Sequence, residues 1–278
     1  MLVNLNGVLP QAQKAHYGVG LFNTVNLEMA QGVLAAAEET GSPVIIGSAE
    51  VLLGCSTIEE LAAMLLPKAR EAKVPVVVHF DHGLTEENVK KAIDSGFSSV
   101  MYDCSTKSYE ENIESVAKIV RYAHARGVTV EGELGHVGSN ANAADTGIYT
   151  DPDQAQDFVR RTGVDALAVA IGTAHGTYKS TPKLALDVLE AIAAKVSVPL
   201  VLHGGSGLSE QDFRNCIARG IAKVNIFTDI SIAAEKAAYE HYAPGVGYHK
   251  IMPAVVNAIK EATKEKMRIF DSSKYRAE

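Results

Sequence analysis

Eight short apolar runs recur along the chain, and their starts lie roughly 23 to 38 residues apart, a spacing that leaves room for one helix between strands. The runs are rich in β-branched and other aliphatic residues, which is typical of strands buried on both faces of a parallel sheet. The predicted strands are GVGLFN (18–23), PVIIGS (43–48), PVVVHF (75–80), SSVMYD (98–103), VTVEGEL (128–134), ALAVAIG (166–172), PLVLHG (199–204) and KVNIF (223–227).

The intervals between these strands carry helical patterns, because apolar residues there recur at helical spacing. Several patterns begin with capping residues, as in STIE (56–59), and several end near a glycine, as at Gly41 and Gly163. The predicted helices are 27–39, 58–71, 86–95, 110–126, 152–162, 185–194, 210–219 and 230–242. Eight strand–helix units in strict alternation predict an α/β fold, a closed (β/α)8 TIM barrel. A doubly wound open sheet is the alternative.

An additional amphipathic helix is predicted near the C-terminus, over residues 248–270, as a closing helix or an oligomer contact. The chain has 278 residues, of which 47% are hydrophobic, and barrels of this length commonly form one domain. We therefore expect a single barrel domain over residues 1–278 that assembles as a homodimer or homotetramer.

Charge and cysteine content narrow the function classes. The net charge of −7 comes from acidic and basic residues mixed along the chain, so nucleic acid is not an expected partner. The sequence has no signal-like N-terminus and no long apolar run, which predicts a cytoplasmic protein without a membrane partner. Cys55, Cys104 and Cys216 are widely spaced, so a metal would need other ligands.

Polar side chains stand at the carboxyl end of every predicted strand. In a barrel these ends converge on one face, which is where active sites form. Eight such coincidences favour one shared site over eight unrelated structural roles. The residues are Asn23, Ser48, Asp81 with His82, Asp103, Glu133, His175, His203 and Asn225.

Three of these strand-end residues are histidines, namely His82, His175 and His203. Three histidines form a catalytic type of zinc site, because a fourth position stays open for substrate. Successive strand residues face opposite ways, so Asp81 and His82 can share a site only where the strand gives way to its loop. His79 lies on the same strand face as Asp81 and is predicted to be a hydrogen-bonded interior residue.

Two segments occupy the position where barrels usually bind phosphate, after the seventh and eighth strands: HGGSG (203–207) and NIFTD (225–229). Carboxylates also lie deep in the predicted barrel, where they need partners. Glu131 and Glu133 share one strand face, and Asp103 ends the neighbouring strand. They are expected to pair with lysine or histidine, or else Asp103 and Glu133 hold a second metal.

The motifs together resemble the class II ketose-bisphosphate aldolases, in particular the tagatose- and fructose-bisphosphate branch. The similarity covers nearly the whole chain, through FNTVN (22–26), HFDHG (79–83), VEGELG (130–135), AIGTAHG (170–176), HGGSG (203–207) and KVNI (223–226). By this resemblance, His82, His175 and His203 bind Zn2+. Asp81 passes a proton to and from the oxygen of the departing aldehyde, and Asn225 contacts the ketose end.

The resemblance also implies how a sugar phosphate is held. Asn23 is expected at the substrate, and Ser48 toward the far end of the sugar. A monovalent cation, Na+ or K+, would accompany the ketose phosphate. The residues implied around that phosphate are Gly176, Lys179, Gly204, Ser206 and Thr228.

The sequence departs from the family pattern at three places. Relatives carry Gly-Gly-x-Glu-Asp on a mobile loop whose glutamate handles the proton at C3, whereas this chain reads GSNAN (138–142). Asp145, a few residues on, is the candidate replacement. Cys104 stands where Asp-Gly-Ser is usual, and Pro253 falls roughly where some fructose-type relatives use an arginine for the second phosphate. The resemblance therefore leaves the second phosphate open.

The leading hypothesis is an aldolase that cleaves a phosphorylated ketose to dihydroxyacetone phosphate and an aldehyde. Another metal-dependent enzyme acting on sugar phosphates is an alternative, because zinc held by three histidines also activates water. A binding or regulatory protein for sugar phosphates, with catalysis impaired by the missing glutamate, is a further alternative.

Overall fold

The computed structural model describes residues 1–139, 147–176 and 182–276. In these ranges the strands are β1 (Leu2–Val3), β2 (Val19–Asn23), β3 (Val44–Ala49), β4 (Val76–Gly83), β5 (Ser99–Tyr102), β6 (Thr129–Leu134), β7 (Gly138–Ser139), β8 (Ala166–Val169), β9 (Ala174–His175), β10 (Leu200–Leu202) and β11 (Ile221–Ile226). Short 3-10 helices span Leu5–Gly7, Glu50–Leu52 and Ser272–Lys274.

All the α-helices except the first lie at nearly the positions that the apolar periodicity predicts. Several begin with the expected caps; for example, Thr57 and Glu60 form a capping box at the start of the third helix. The helices are α1 (Leu9–Ala15), α2 (Leu27–Thr40), α3 (Ile58–Glu71), α4 (Glu86–Asp94), α5 (Tyr109–His124), α6 (Pro152–Thr162), α7 (Leu186–Ala193), α8 (Glu210–Ala218), α9 (Thr228–Glu240) and α10 (Tyr248–Ile269).

Eight parallel strands close into a ring, which confirms the predicted TIM barrel. Around the ring the order is β2, β3, β4, β5, β6, β8, β10 and β11, and β11 pairs with β2 to complete it. The doubly wound open sheet is excluded because β4 also pairs with β5, which joins the two ends of the strand order.

Side chains alternate along each barrel strand between the inside of the barrel and the layer of helices. In β4, Val77 packs with apolar residues inside the barrel, whereas Val76 and Val78 pack in the larger core between the sheet and the helices. His79 and Asp81 follow Val77 at two-residue steps along the strand. The inner face therefore changes from apolar to polar toward the carboxyl ends of the strands.

The N-terminal segment, residues 2–15, is a plug that closes the opposite end of the barrel, a feature that the periodicity did not predict. β1 pairs with the start of β4, and Leu5, Leu9 and Ala12 are buried with the apolar side chains inside the barrel. Helix α1 has only seven residues, and its two buried apolar positions give too weak a periodic signal to identify it.

Helix α10 confirms the predicted additional C-terminal helix. It packs against α2 and α9 and buries Ile259 and Met267, and Phe270 directly after it is also buried. Among the described residues, none of the helices is long and apolar enough to cross a membrane.

Candidate active site

A cavity of about 410 Å³ opens at the carboxyl ends of the barrel strands. Its wall unites most of the predicted site residues, although they come from six different strand ends. Glu133 and His203 lie buried beside this wall. The predicted residues that line the cavity are Asn23, Asp81, His82, Asp103, His175, Gly176, Gly204, Ser206, Asn225 and Thr228.

A backbone irregularity near the end of β4 brings Asp81 and His82 to the same cavity. His82 has a φ of 41°, in the left-handed region that non-glycine residues seldom adopt. The pairing of β4 with β5 also shifts register between Phe80 and Gly83. The strand pairing extends to Gly83, so His82 itself breaks the alternation and no loop is needed. Strain held at such a position is a common mark of functional sites.

His82, His175 and His203 can each offer a nitrogen to a common metal ion, because these atoms lie within 4.8 Å of one another. Nε2 of His82 lies 2.6 Å from Nδ1 of His203, and the His175 ring lies edge-on to the His82 ring with 4.9 Å between centroids. Burial is the main cause that lowers the pKa of His175 to about 3, and the nearby His82 is the second. The low pKa favours the neutral, ligating form of the ring.

Carboxylates hold two of these histidines from behind. Nδ1 of His82 lies 2.9 Å from Oδ2 of Asp103, and Nε2 of His203 lies 2.8 Å from Oε1 of Glu131. Each pairing leaves the other ring nitrogen, Nε2 of His82 and Nδ1 of His203, free to face the candidate metal position. Carboxylates of this kind fix the ring orientation of metal-bound histidines, so the donor set fits Zn2+.

Asp81 is held in place by two amide side chains. Nδ2 of Asn23 donates to Oδ2 of Asp81 at 3.0 Å, and Nδ2 of Asn225 donates to Oδ1 at 2.9 Å. Burial alone would raise the pKa of Asp81, but His82 and Lys223 outweigh it and hold this pKa well below its ordinary value. The carboxylate is therefore ionised, fixed and next to a candidate metal ligand.

Lys223 is a central residue of this site that the strand-end pattern did not single out. Its side chain is fully buried, and Nζ lies 2.8 Å from both Oε2 of Glu131 and Oδ1 of Asn225. Burial alone would raise the pKa of Glu131, but Lys223 and His203 keep it below its usual range. Lys223 thus connects Glu131, which pairs with His203, to Asn225, which holds Asp81. It is a lysine partner of the kind expected for a deep carboxylate.

Asp103 and Glu133 form a second group with His82, whose potential ligand atoms also lie within 4.8 Å. Oε1 of Glu133 accepts from the backbone N–H of Val137, whereas Oε2 has no hydrogen-bond partner in the described part of the chain. Burial and the charge of Asp103 raise the pKa of Glu133 to about 8. A second metal at this group stays a prediction, as does the purely structural role.

His79 has the hydrogen-bonded interior position that was predicted for it. Its Nδ1 lies 2.8 Å from Oγ of Ser99, and the side chain is fully buried. Burial, together with the charge of Lys223, lowers the pKa of His79 to about 3, so the ring is neutral.

The ends of β10 and β11 form the candidate phosphate pocket. A side chain at Gly204 would meet the Ala174 carbonyl oxygen at 2.5 Å, so only glycine lets these two segments approach so closely. Oγ of Ser206 accepts from the backbone N–H of Phe227 at 3.3 Å. Thr228 opens helix α9 at the cavity wall, and a helix N-terminus favours anions.

Three predicted residues are not placed at the cavity. Ser48 is buried in β3 but is absent from the described cavity wall, because it has the same strand parity as Ile46, which faces the helices. Asp145 and Lys179 lie outside the described residues, so their roles stay predictions.

The cavity also has wall residues that the sequence interpretation missed. His136 lines it and lies 3.0 Å, through Nδ1, from Oγ of Ser105, whose backbone N–H donates to Asp103. Val51 and Leu84 line it from the segments after β3 and β4. A polar residue two positions after the end of β6 could have indicated His136, but nothing in an apolar loop residue distinguishes it from ordinary packing.

Comparison with known proteins agrees with this geometry. A family model described as class II fructose-bisphosphate aldolase matches residues 3–275. The chain belongs to the class II fructose-bisphosphate aldolase family. It is thus a metal-dependent aldolase, a carbon–carbon lyase, which confirms the resemblance seen in the motifs.

Relatives of this class II aldolase match along nearly their whole length. Fructose-bisphosphate aldolases from Geobacillus stearothermophilus and Staphylococcus epidermidis are 42% and 41% identical to it, with 98% of each chain covered. The crystal structure of the YdjI aldolase from Escherichia coli K12 superposes with a TM-score of 0.90 at 41% identity, and 98% of each chain is covered.

Proposed function

We propose that this aldolase uses Zn2+ to cleave and form the C3–C4 bond of a phosphorylated ketose, with dihydroxyacetone phosphate and an aldehyde as the products. The observation that carries the proposal is Asp81, an ionised carboxylate held by two amides beside a three-histidine donor set, within one cavity. His82, His175 and His203 would hold the zinc ion. When bound, zinc supplies a Lewis acid that stabilises the negative charge left on the ketose fragment.

Asp81 would act as the base for cleavage and the acid for the reverse reaction. Its carboxylate accepts the proton of the C4 hydroxyl as the aldehyde forms, and it returns that proton during condensation. Asn23 and Asn225 hold both carboxylate oxygens, so the group is oriented before substrate arrives. Asn225 would also contact the ketose end.

The ketose phosphate would bind between the glycines after β9 and β10 and the start of α9. Gly176, Gly204, Ser206 and Thr228 line that side of the cavity, and Lys179 is proposed to join them. None of the described lining residues is a lysine or arginine. A bound Na+ or K+ would therefore help to balance the phosphate charge. Replacement of both ions by tetramethylammonium should weaken substrate binding.

The direct test is a screen of ketose monophosphates and bisphosphates for triose phosphate release. We expect at least one ketose to be cleaved by the zinc-loaded enzyme. Treatment with a chelator should abolish that release, and added Zn2+ should restore it. Release that is unaffected by removal of the metal would contradict the proposal.

Asp145 is proposed as the group that handles the C3 proton in place of the family glutamate. If so, Asp145→Ala should abolish solvent exchange of the C3 proton of dihydroxyacetone phosphate, measured by NMR, and leave zinc content and ligand affinity nearly unchanged. Ala141→Glu is the informative companion, because it restores a glutamate in the same loop. Undiminished exchange in Asp145→Ala would remove this residue from the mechanism.

We also propose that the protein forms a homodimer or homotetramer. Several large side chains near the junction of α9 and α10 are exposed, namely Tyr239, Tyr242 and Tyr248. Clustered exposed apolar surface is typical of association sites. Light scattering in solution tests this directly, and a monomer at micromolar concentration would contradict it.

A further inference from the structure

The strand order places the two ends of a bound ketose on opposite sides of the barrel. β3 and β4 lie across the ring of eight strands from β8 and β10. The proposed phosphate pocket follows β9, β10 and β11. The aldehyde half of the sugar must therefore extend toward the ends of β3 and β4, an assignment that rests on the proposed function.

The wall on the aldehyde side is apolar. It consists of Ala49, Val51 and Leu52 after β3, and Leu84 after β4. Val51 is 72% exposed and Leu84 is 50% exposed, so both present apolar surface at the mouth of the cavity. No described residue of this wall carries a positive charge that could hold an anion.

Four hydrogen-bond donors beside this wall already have an anionic partner, Glu50. Glu50 lies between Ala49 and Val51, and its Oε2 accepts from the backbone N–H groups of Leu84 and Thr85 at 2.6 and 3.2 Å. Its Oε1 accepts from the Thr85 hydroxyl at 3.0 Å and from Nδ2 of Asn88 at 2.8 Å.

These donors surround the start of helix α4, where Thr85 is the N-cap, and a helix start of this kind would otherwise be a natural site for a phosphate group. The protein fills it with its own carboxylate, and all four donors to Glu50 are uncharged groups. A phosphate brought to this side would lose part of its hydration and find a like charge, with no described cation to replace the lost water.

We propose that the natural substrate is a ketose with one phosphate, on its ketose half, and that the released aldehyde carries no charged group. The apolar wall of Val51, Leu52 and Leu84 contacts the far end of this aldehyde. Glu50 acts as a specificity-determining residue, because it closes the helix N-terminus to a second phosphate. The enzyme therefore handles monophosphates in preference to bisphosphates.

Calorimetric binding to the zinc-loaded Asp81→Asn variant tests this, because that variant is expected to keep zinc and to cleave the probes about 10²- to 10⁴-fold more slowly. The probes are two matched pairs, fructose 1-phosphate with fructose 1,6-bisphosphate and tagatose 1-phosphate with tagatose 1,6-bisphosphate, so that the configuration at C4 does not decide the result. We expect the better-bound monophosphate to have a Kd about ten-fold lower than its bisphosphate. Equal affinity, or tighter binding of the bisphosphate, overturns the proposal.

A charge introduced into the wall should reverse the preference. Val51→Arg places a cation at an exposed wall position and should shift the affinity ratio toward the bisphosphate about five-fold, because guanidinium groups bind phosphate strongly. Ile232→Arg is the matched control, since Ile232 is exposed on α9 and does not line the cavity. An equal shift in both variants would show that general charge, and not the wall, sets the preference.

Condensation assays with dihydroxyacetone phosphate test the substrate assignment separately from the proposed aldolase function. Glyceraldehyde should be the better acceptor, with kcat/KM about ten-fold above that of glyceraldehyde 3-phosphate. A preference for the phosphorylated acceptor overturns the substrate assignment while it supports the aldolase. Failure of both acceptors, together with failure of all four ketoses to bind, would contradict the proposed function itself.

Discussion

The two halves of the barrel interior differ in the type of side chain that they bury. The half toward the N-terminal plug contains aliphatic side chains, among them Leu21, Ile45 and Val77, all fully buried. The half toward the carboxyl ends contains Glu131 and Lys223, equally buried but charged. The same strands supply both halves, so the change occurs within two or three residues along a strand.

This difference shows where stability and function are separated in one fold. A buried aliphatic side chain stabilises the folded state by about 1.5–3 kcal/mol. A buried charge destabilises it unless a partner is present, and even a good ion pair often contributes little net stability. The apolar half therefore holds the barrel together, while the charged half holds its groups in position for chemistry. Mutations in the two halves should fail in different ways.

The largest expected effect comes from His175→Ala. Loss of one of three zinc ligands should remove both the metal and all measurable activity. The melting temperature of the zinc-free protein should stay within a few degrees, because His175 lies at a strand end and not in the apolar half. Metal analysis with circular dichroism checks both points. Full zinc occupancy in this variant would refute its assignment as a ligand.

The next largest effect is expected for Asp81→Asn. The change keeps the shape of the side chain but removes the proton-accepting group, so carbon–carbon cleavage should slow by about 10²- to 10⁴-fold. Zinc content should be unchanged. Turnover within twofold of the parent enzyme would exclude Asp81 from proton transfer.

The fold followed from the sequence because its signals are local and repeated. The run from Val76 to Phe80 by itself predicts a buried strand, and the capping residues around Thr57 predict the start of the helix that follows them. Eight such units with short connections leave few alternatives to a barrel. The N-terminal plug escaped prediction because its elements are short and gain their order from tertiary packing around Leu5 and Leu9.

The site was predictable at the level of which residues converge, and less so at the level of how they are held. Convergence follows from strand ends alone, as for His82 and His203. The positive φ of His82 depends on tertiary constraint and leaves no trace in composition. Ser48 was predicted at the site for the opposite reason. It stands at a strand end, but a shift of one residue along a strand turns a side chain to the other face, away from the cavity.

A smaller effect, but one that tests the charged half directly, is expected for Lys223→Met. The change leaves Glu131 buried without its cation, which should lower the free energy of unfolding by about 3–5 kcal/mol. It should also weaken zinc binding by about 10- to 100-fold, because Glu131 orients His203. Competition with a zinc-sensitive chelator dye measures the affinity, and urea unfolding measures the stability.

The matched control for this variant is Lys264→Met, which removes a partly exposed lysine paired with Glu39 on the outside of the barrel. Its zinc affinity should equal that of the parent, and its stability should change by less than about 1 kcal/mol. If Lys223→Met kept full zinc affinity while it lost stability, the lysine would be a structural residue without a role in positioning the site.

The smallest expected effect on activity, with a large effect on stability, is for Ile45→Ala in the apolar half. Ile45 is fully buried and pairs in register with Leu21 and Val77, so its truncation leaves a cavity among side chains that cannot easily move. The free energy of unfolding should fall by about 2–5 kcal/mol. Zinc affinity and kcat/KM of the folded fraction at 25 °C should stay within about twofold of the parent, because no charged or ligating group moves with it.

Ile232→Ala, on the exposed face of α9, is the control and should change stability by less than about 0.5 kcal/mol. Urea unfolding of the zinc-free proteins avoids the added stabilisation that bound metal gives to the folded state. Loss of activity in Ile45→Ala without a loss of stability would mean that the apolar half also positions the catalytic groups, and the separation of the two halves would not hold.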